Sequence, residues 1–130
     1  MADPIVFISK NRILKGKLDK FRKHYQSSVQ NALANKPDTM IEVTYENEDS
    51  SEVTIIRIFK DADGLDRQIE GAEERSRKTY EMIQPVSIEI FGQPNPGLQE
   101  KVEKIAGSGV TVKSHPIYTG GFFRKSDNKE

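Results

Sequence analysis

The sequence predicts a single α+β domain in which helices cover one side of an antiparallel sheet. Two observations predict this class: the hydrophobic period switches between 3.6 and 2 along the chain, and the segments follow the order β-α-β-β-α-β. The 130 residues suffice for one compact core and are too few for two. We therefore expect one domain with a core at 4–92, a helical and extended addition at 93–124, and a disordered tail at 125–130.

The first half of the chain is predicted to contain a strand, a helix and a hairpin. Residues 4–14 mix β-branched and aromatic side chains, which favours a strand. Apolar residues between Gly16 and Pro37 recur every three or four positions, as they do in a helix. Residues 40–46 then alternate strictly between apolar and polar side chains, and a polar run leads from them into the apolar segment 53–59. These two segments are predicted to pair as a hairpin.

The second half begins with the most regular helical pattern in the chain. Asp61 is in position to cap this helix, and apolar or small residues follow at spacings of four and three as far as Ile83. The pattern predicts one continuous helix. Its outer side is expected to carry ion pairs between residues four positions apart, with the acid first. The expected pairs are Asp63 with Arg67, Glu73 with Arg77 and Glu74 with Lys78.

Prolines and glycines divide the remainder of the chain. Pro85 ends the helix and opens a strand that reaches Phe91. Asn95 is predicted to cap a further helix, which Gly107 ends in a left-handed conformation, and residues 110–113 are expected to be extended. The order is thus the βαββαβ of ferredoxin-like folds, followed by a helix and an extended segment.

Composition and charge restrict the function classes. The 20 basic and 20 acidic residues balance, so no overall field attracts nucleic acid or anionic lipid. The absence of cysteine excludes disulfides and thiolate metal sites, and the apolar run at residues 5–8 is too short for a signal or spanning segment. We expect a cytoplasmic protein with no cofactor, metal or membrane partner. A basic cluster at residues 10–23 leaves RNA binding open as a third function class, although a solvated face or pairing with the acidic hairpin explains it more simply.

Apolar residues on both sides of the predicted sheet favour a homodimer. Helices cover one face, and in a monomer the other face would be wet and therefore polar. Burying apolar side chains of that second face against a partner sheet gains about 1.5–3 kcal/mol each. The alternative is that the C-terminal helix covers this face within one chain. The helix face is assigned to Ile41, Val43, Ile56, Ile58, Val86, Ile88 and Ile90, and the opposite face to Met40, Val53, Ile55, Phe59 and Phe91 together with Glu42, Arg57 and Glu89.

Three short segments and the element order carry a family resemblance. The segments are residues 15–21 at the first helix, Pro37 before the second strand, and residues 58–65 at the entry to the second helix. With them the chain resembles the antibiotic-biosynthesis-monooxygenase-like group of the dimeric α+β barrel superfamily over roughly residues 4–92. The resemblance implies a dimeric barrel with a pocket for a small apolar or aromatic molecule between sheet and helices. Some members of the group oxygenate phenols or quinols without metal or flavin.

The chain departs from that group at two positions. Many members have Trp at the end of the third strand, where this chain has Phe59, and many have His inside the following helix, where this chain has Gln68. A neutral glutamine cannot replace imidazole as a general base. Asn11-Arg12 is similar to a heme-degrading subgroup, but the helix that would supply an axial histidine lacks one.

The candidate site residues follow from the strand ends and from the two histidines. His115 precedes Pro116 in an extended segment, and we assign it with Glu89 as a candidate catalytic residue. A structural loop is the alternative for His115, and an ion pair with Arg57 is the alternative for Glu89, which would act as a base by sharing a proton with Glu42. His24 is interpreted as a surface residue beside the apolar stripe. The predicted ligand pocket consists of Asn11, Arg57, Phe59, Gln68 and Tyr118.

The predicted function is therefore a homodimeric protein with a pocket for a small apolar or aromatic ligand, similar to cofactor-independent monooxygenases. The alternative is a non-catalytic ligand-binding or protein-interaction module.

Overall fold

The computed structural model describes residues 3–107 and 109–124, which form one five-stranded sheet with its helices. The predicted disordered tail at 125–130 lies outside the described residues. The strands are β1 (Ile5–Ile13), β2 (Thr39–Glu46), β3 (Glu52–Phe59), β4 (Ile83–Phe91) and β5 (Thr111–His115), and the helices are α1 (Leu18–Asn35), α2 (Ala62–Ile69), α3 (Ala72–Thr79) and α4 (Leu98–Ala106).

The strand order is β2-β3-β1-β4-β5. The first four strands pair antiparallel, which is the ferredoxin-like arrangement, so the predicted α+β fold class is confirmed. The sheet is mixed rather than wholly antiparallel, because β5 pairs parallel with β4. Parallel neighbours need a crossover connection, and α4 supplies it.

The predicted continuous helix after Asp61 is two helices. Asp61 caps α2 as predicted, since its carboxylate accepts a hydrogen bond of 2.7 Å from the Gly64 amide. The helix is interrupted at Gly71, whose φ of +74° is left-handed and favours glycine. The apolar spacing runs across this break, so only the glycine reveals it in the sequence.

Other ion pairs replace those expected along this segment. Arg67 binds Asp38 at 2.6 Å, Arg77 binds Glu74 at 2.6 Å, and Lys104 approaches Glu73 at 4.0 Å. The members of each expected pair lie within one helix, so the break at Gly71 does not separate them, and Arg67 instead reaches Asp38 in the loop before β2.

The cap predicted for α4 is also different. Gly97 occupies the N-cap position, whereas the Asn95 amide donates to the carboxylates of Asp63 at 2.9 Å and Asp66 at 2.6 Å. Asn95 therefore joins the start of the C-terminal addition to α2. Gly107 ends α4 as predicted, at a φ of +102°.

The hydrophobic core consists of two clusters on the same side of the sheet. The α1 cluster contains Phe21, Val53, Met82 and Ile83. The α2–α4 cluster contains Ile5, Phe7, Phe59, Leu65, Ile88, Ile90, Leu98, Val102 and Val110. Because Leu98 and Val102 belong to this second cluster, α4 packs on the helix side of the sheet. The alternative in which the C-terminal helix covers the opposite face is therefore wrong. In the described part of the chain, no helix combines the length and the apolar character that crossing a bilayer requires.

The face assignment predicted for β2 and β3 is wrong. On β1 the helix side carries Phe7 and Asn11, and their partners Arg57 and Val53 on β3 share that side. Both alternating sets of these strands contain apolar residues, so the alternation alone does not say which set meets the helices. Val53, Ile55 and Phe59 are buried under the helices together with Glu42 and Arg57, whereas Ile41, Val43, Ile56 and Ile58 lie on the opposite face.

The face of the sheet away from the helices is called the open face below. Its β2 residues Ile41, Val43 and Tyr45 are 40%, 40% and 66% exposed. The assignment of Ile88 and Ile90 to the helix side is correct. Phe91 and Glu89 lie on the open face, and Glu89 is therefore separated from Arg57 and Glu42 by the sheet.

Candidate functional site

A cavity of about 480 Å³ lies between the helix side of the sheet and the helices. Residues of both core clusters line it, including Phe7, Phe59 and Leu65 of the α2–α4 cluster and Ile83 of the α1 cluster. About half of the lining residues are apolar and the others are polar or charged, and small-molecule sites likewise combine apolar walls with polar groups that orient the ligand. This cavity is the best candidate site in the described part of the chain.

Asn11 brings an amide to the cavity wall beside Ser9. It is 2% exposed, and its Nδ2 lies 3.3 Å from the Ser9 carbonyl oxygen and 3.5 Å from the Val53 carbonyl oxygen. These hydrogen bonds are long and therefore weak, so the amide can turn to a ligand at small cost. Arg12, which completes the heme-related Asn-Arg pair, lies in the alternate position on β1 and contacts Gln84 at 3.3 Å.

A partly buried network of polar side chains surrounds Arg57. Its Nε donates to Glu42 Oε1 at 3.0 Å, and the Tyr25 hydroxyl donates to Glu42 Oε2 at 2.9 Å. Thr44 hydrogen bonds to the same tyrosine hydroxyl. Burial raises the pKa of Tyr25 to about 12, so the phenol stays protonated and donates at neutral pH. Arg57 and Glu42 line the cavity.

His24 reaches the cavity from α1, although the sequence analysis interpreted it as a surface residue. It is half-buried, and its Nε2 lies 2.8 Å from Thr79 Oγ1 on α3. His24 is three positions after the buried Phe21 and four before Ser28, which also lines the cavity. That spacing places all three on one helix face, and it is the pattern that could have identified His24.

Gln68 and Phe59 also line the cavity. Thr39 Oγ1 donates a long hydrogen bond of 3.3 Å to Gln68 Oε1, at the side of the cavity formed by α2. At the position where many members of the group have a histidine, this chain has the neutral amide of Gln68, and that amide lines the cavity. A histidine from α1, His24, lines the same cavity. Four of the five predicted pocket residues, Asn11, Arg57, Phe59 and Gln68, are brought together here.

The predicted catalytic pair lies on the open face. His115 Nε2 and Glu89 Oε1 are 2.9 Å apart, and the imidazole stacks on Phe91 with ring centroids 4.3 Å apart. The two residues are close, but neither lines the cavity. The proton sharing suggested for Glu89 and Glu42 is wrong, because the two carboxylates lie on opposite faces of the sheet. Tyr118 follows β5, is 44% exposed and does not line the cavity.

Solved structures share this fold. MupZ from Pseudomonas fluorescens superposes with a TM-score of 0.70 at 14% identity, covering 94% of this chain and 95% of that one. SnoaB from Streptomyces nogalater, described as a cofactor-independent oxygenase, gives 0.59 at 14% identity over 74% of this chain and 98% of that one. Rv0793 from Mycobacterium tuberculosis gives 0.59 at 13% identity over 73% and 99%. No family model matches the chain, and no curated protein matches its sequence.

The resemblance to the antibiotic-biosynthesis-monooxygenase-like group is confirmed at the level of the fold, because a protein of Caulobacter crescentus named as an antibiotic biosynthesis monooxygenase shares it with a TM-score of 0.59 at 14% identity, over 68% of this chain and 88% of that one. The match to MupZ covers so much of this chain that it includes most of residues 93–124, whereas the matches to SnoaB and Rv0793 are about the length of the βαββαβ core. The α4 and β5 addition therefore has a counterpart in MupZ.

Proposed function

We propose that this chain forms a homodimer through its open face and binds a small, mostly apolar molecule in the helix-side cavity. We further propose that it acts on that molecule as a cofactor-independent monooxygenase-like enzyme. One observation carries the proposal: Asn11 of β1, Arg57 of β3 and His24 of α1 all line the same cavity of about 480 Å³. The cytoplasmic location expected from the sequence stays a prediction.

The reaction class is the oxygenation of a phenol by dioxygen. A phenol that is unsubstituted opposite its hydroxyl combines with one dioxygen to give a quinone and one water, so both oxygen atoms are accounted for. His24 is the residue that can accept the phenolic proton and return a proton to the departing oxygen, because a histidine exchanges protons at neutral pH. Asn11 can hydrogen bond to the oxygen that becomes negatively charged.

Two observations support this class over other enzymes. The fold is shared with SnoaB, a cofactor-independent oxygenase, although 14% identity supports the fold and not the reaction. The cavity is also lined by His24, which can perform the proton transfer that Gln68 cannot. The second candidate function, a non-catalytic binding module, is favoured by the same glutamine, because the group's usual base is absent from α2.

The test uses 1-naphthol, whose oxygenation gives 1,4-naphthoquinone and can be followed by absorbance and by oxygen uptake. We expect turnover by the wild type, and a loss of roughly 100-fold or more in kcat for His24→Gln, with binding of 1-naphthol retained. The variant His115→Gln decides between the two histidines. Loss of turnover in His115→Gln alone would assign the proton transfer to the open face and overturn the role of His24.

Binding is measured separately from turnover. Ala32 lines the cavity from α1 and is half-buried, so Ala32→Phe can fill the cavity from a surface helix. We expect this variant to fold and to lose binding of 1-naphthol. Binding by the wild type without oxygen uptake would favour the binding module, and binding that survives Ala32→Phe would show that the ligand site lies elsewhere.

A further inference from the structure

The charges that line the cavity are unbalanced. Among the described lining residues, four are basic and one is acidic. The basic residues are Lys36, Arg57, Arg75 and Lys78, and the acidic one is Glu42. The whole chain carries equal numbers of basic and acidic residues, so this excess of positive charge is a local property. Positive charge focused in a cleft attracts anions.

Arg57 has donors to spare. Its hydrogen bond to Glu42 uses Nε, and in the described part of the chain its terminal nitrogens have no protein acceptor. Its side chain is 23% exposed, so these N–H groups are partly withdrawn from water and face the cavity. The Glu42 carboxylate accepts hydrogen bonds from both Arg57 and Tyr25, so part of its negative charge is already compensated by the tyrosine hydroxyl. Its attraction for the guanidinium is weaker as a result.

Arg75 brings a second guanidinium to the wall of the same cavity. It lies on α3 and donates from Nη1 to the Glu70 carbonyl oxygen at 2.8 Å and from Nη2 to the Gln68 carbonyl oxygen. Burial, and after it the positive charge of Arg57, lowers the pKa of Arg75. The positive charge of Arg57 thus acts on Arg75, whose side chain lies at the exposed rim of the cavity.

We infer that the ligand of this cavity carries a carboxylate that binds between Arg57 and Arg75, with its apolar body among Phe7, Phe59 and Ile88. This inference rests on the proposed function, in which the cavity holds a small, mostly apolar molecule. The two arginines and Glu42 together leave one positive charge, which a single carboxylate neutralises. The planar guanidinium matches a carboxylate in a paired, two-hydrogen-bond geometry. Lys36 and Lys78 add positive charge to the wall and accelerate the approach of an anion.

The test compares two ligands with the same ring system. Titration calorimetry of the full chain with 2-naphthoate and with 2-naphthamide separates the carboxylate from the apolar body. We expect 2-naphthoate to bind the wild type at least tenfold more tightly, because the carboxylate accepts charge-assisted hydrogen bonds from both arginines.

Three variants assign this preference to the proposed residues. The quantity compared is the ratio of the affinity for 2-naphthoate to the affinity for 2-naphthamide. In Arg57→Gln and in Arg75→Gln this ratio should fall to threefold or less, while the affinity for 2-naphthamide is kept. Glu42→Gln should change the ratio in the opposite direction, raising the affinity for 2-naphthoate severalfold, because Arg57 no longer binds a competing carboxylate. Lys101→Gln on α4 removes an exposed cation that does not line the cavity and should leave the ratio unchanged.

The outcomes distinguish this inference from the proposed function. Equal binding of both ligands by the wild type overturns the carboxylate and leaves the apolar ligand site standing, whereas binding of neither ligand contradicts both. If Arg57→Gln does not fold, Arg75→Gln and Glu42→Gln decide. A ratio that stays the same in these two variants overturns the inference.

Discussion

The two faces of the sheet are built from alternate residues of the same strands, and on β2 they differ in a way that is unusual for a sheet covered by helices on one side. On β2 the helix side carries Glu42, Thr44 and Glu46, whereas the open face carries Ile41, Val43 and Tyr45. A sheet with one covered face usually has the apolar residues under the helices and the polar ones in water. On β2 this order is reversed, whereas on β1, β3 and β4 the covered face carries the hydrophobic core and the open face also includes charged residues such as Lys10 and Glu89. The covered face is thus suited to a ligand and the open face to a second protein surface.

The largest effect that would test this contrast is loss of the homodimer. Ile58 lies on the open face of β3, between Val6 of β1 and Ile41 of β2. We expect Ile58→Lys to convert the protein into a monomer, because the lysine would have to be buried without a partner between two sheets. Sedimentation should then give the 14.7 kDa of one chain, compared with twice that mass for the wild type.

A surface substitution provides the control. Leu33 on α1 is 80% exposed and lies away from the open face, so Leu33→Lys should leave the wild-type mass unchanged. A wild-type protein that already sediments as a single chain at working concentration would contradict the homodimer and its interface together.

The next effect compares two neighbouring residues within β3. Ile55 is 6% exposed under the helices, and Ile56 faces the other way. In the monomeric Ile58→Lys background, Ile55→Ala should lower the free energy of unfolding by about 2–5 kcal/mol, the usual cost of truncating a buried isoleucine. Ile56→Ala should cost less than about 1 kcal/mol there, because its side chain remains partly in water. Denaturation in urea measures both values, and equal costs would show that the open face is covered within one chain.

The smallest effect concerns the edge of the helix side, where Glu46 binds Arg22. The guanidinium donates to both carboxylate oxygens, at 2.7 and 2.9 Å. The Arg22 hydrogen bond, helped by Ser50, lowers the pKa of Glu46 to about 2. The folded state therefore binds the Glu46 proton less readily than the unfolded state does. The stabilisation is complete above the ordinary carboxyl pKa of 4.5 and is lost as the pH falls through about 2.

We accordingly expect Glu46→Gln to lower the free energy of unfolding by about 1 kcal/mol at neutral pH, since partly exposed ion pairs contribute little more. The difference from the wild type should shrink as the pH is lowered from 4.5 towards 2. Glu48→Gln, in the exposed loop after β2, is the matched control and should leave the free energy of unfolding at neutral pH within about 0.5 kcal/mol of the wild-type value. A difference that stays constant over this range would mean that Arg22 does not stabilise the Glu46 carboxylate. The contact also pairs the basic cluster of α1 with the acidic hairpin.

Most elements of the fold were predictable because the hydrophobic period and the glycines act locally. The Asp61 cap, the end of α4 at Gly107 and the ferredoxin-like order are all of this kind. The helix predicted to reach Ile83 and to stop at Pro85, by contrast, ends at Thr79, and both residues lie in β4. The face assignment of β2 and β3 was not predictable in the same way. Both sets of alternating residues on β3 are apolar, so only the tertiary arrangement shows which one the helices cover.

The candidate site was predictable in part, for a related reason. Asn11, Arg57, Phe59 and Gln68 came from strand ends and from the resemblance, and they line one cavity. The position of His115 depends on the parallel pairing of β5, which local sequence does not specify. Arg75 was missed because it follows the helix break, which sets the direction of its side chain.

The C-terminal addition bears on how the protein can be shortened. Leu98, Val102 and Val110 provide three of the nine buried residues in the α2–α4 cluster. Their burial amounts to about 1.5–3 kcal/mol each, a sum comparable with the whole stability of an ordinary domain. Truncating the chain after residue 92, which leaves only the βαββαβ core, would therefore remove part of the hydrophobic core. Such a fragment should be recovered as insoluble or loosely packed material, although every strand pairing of the four-stranded unit remains in it.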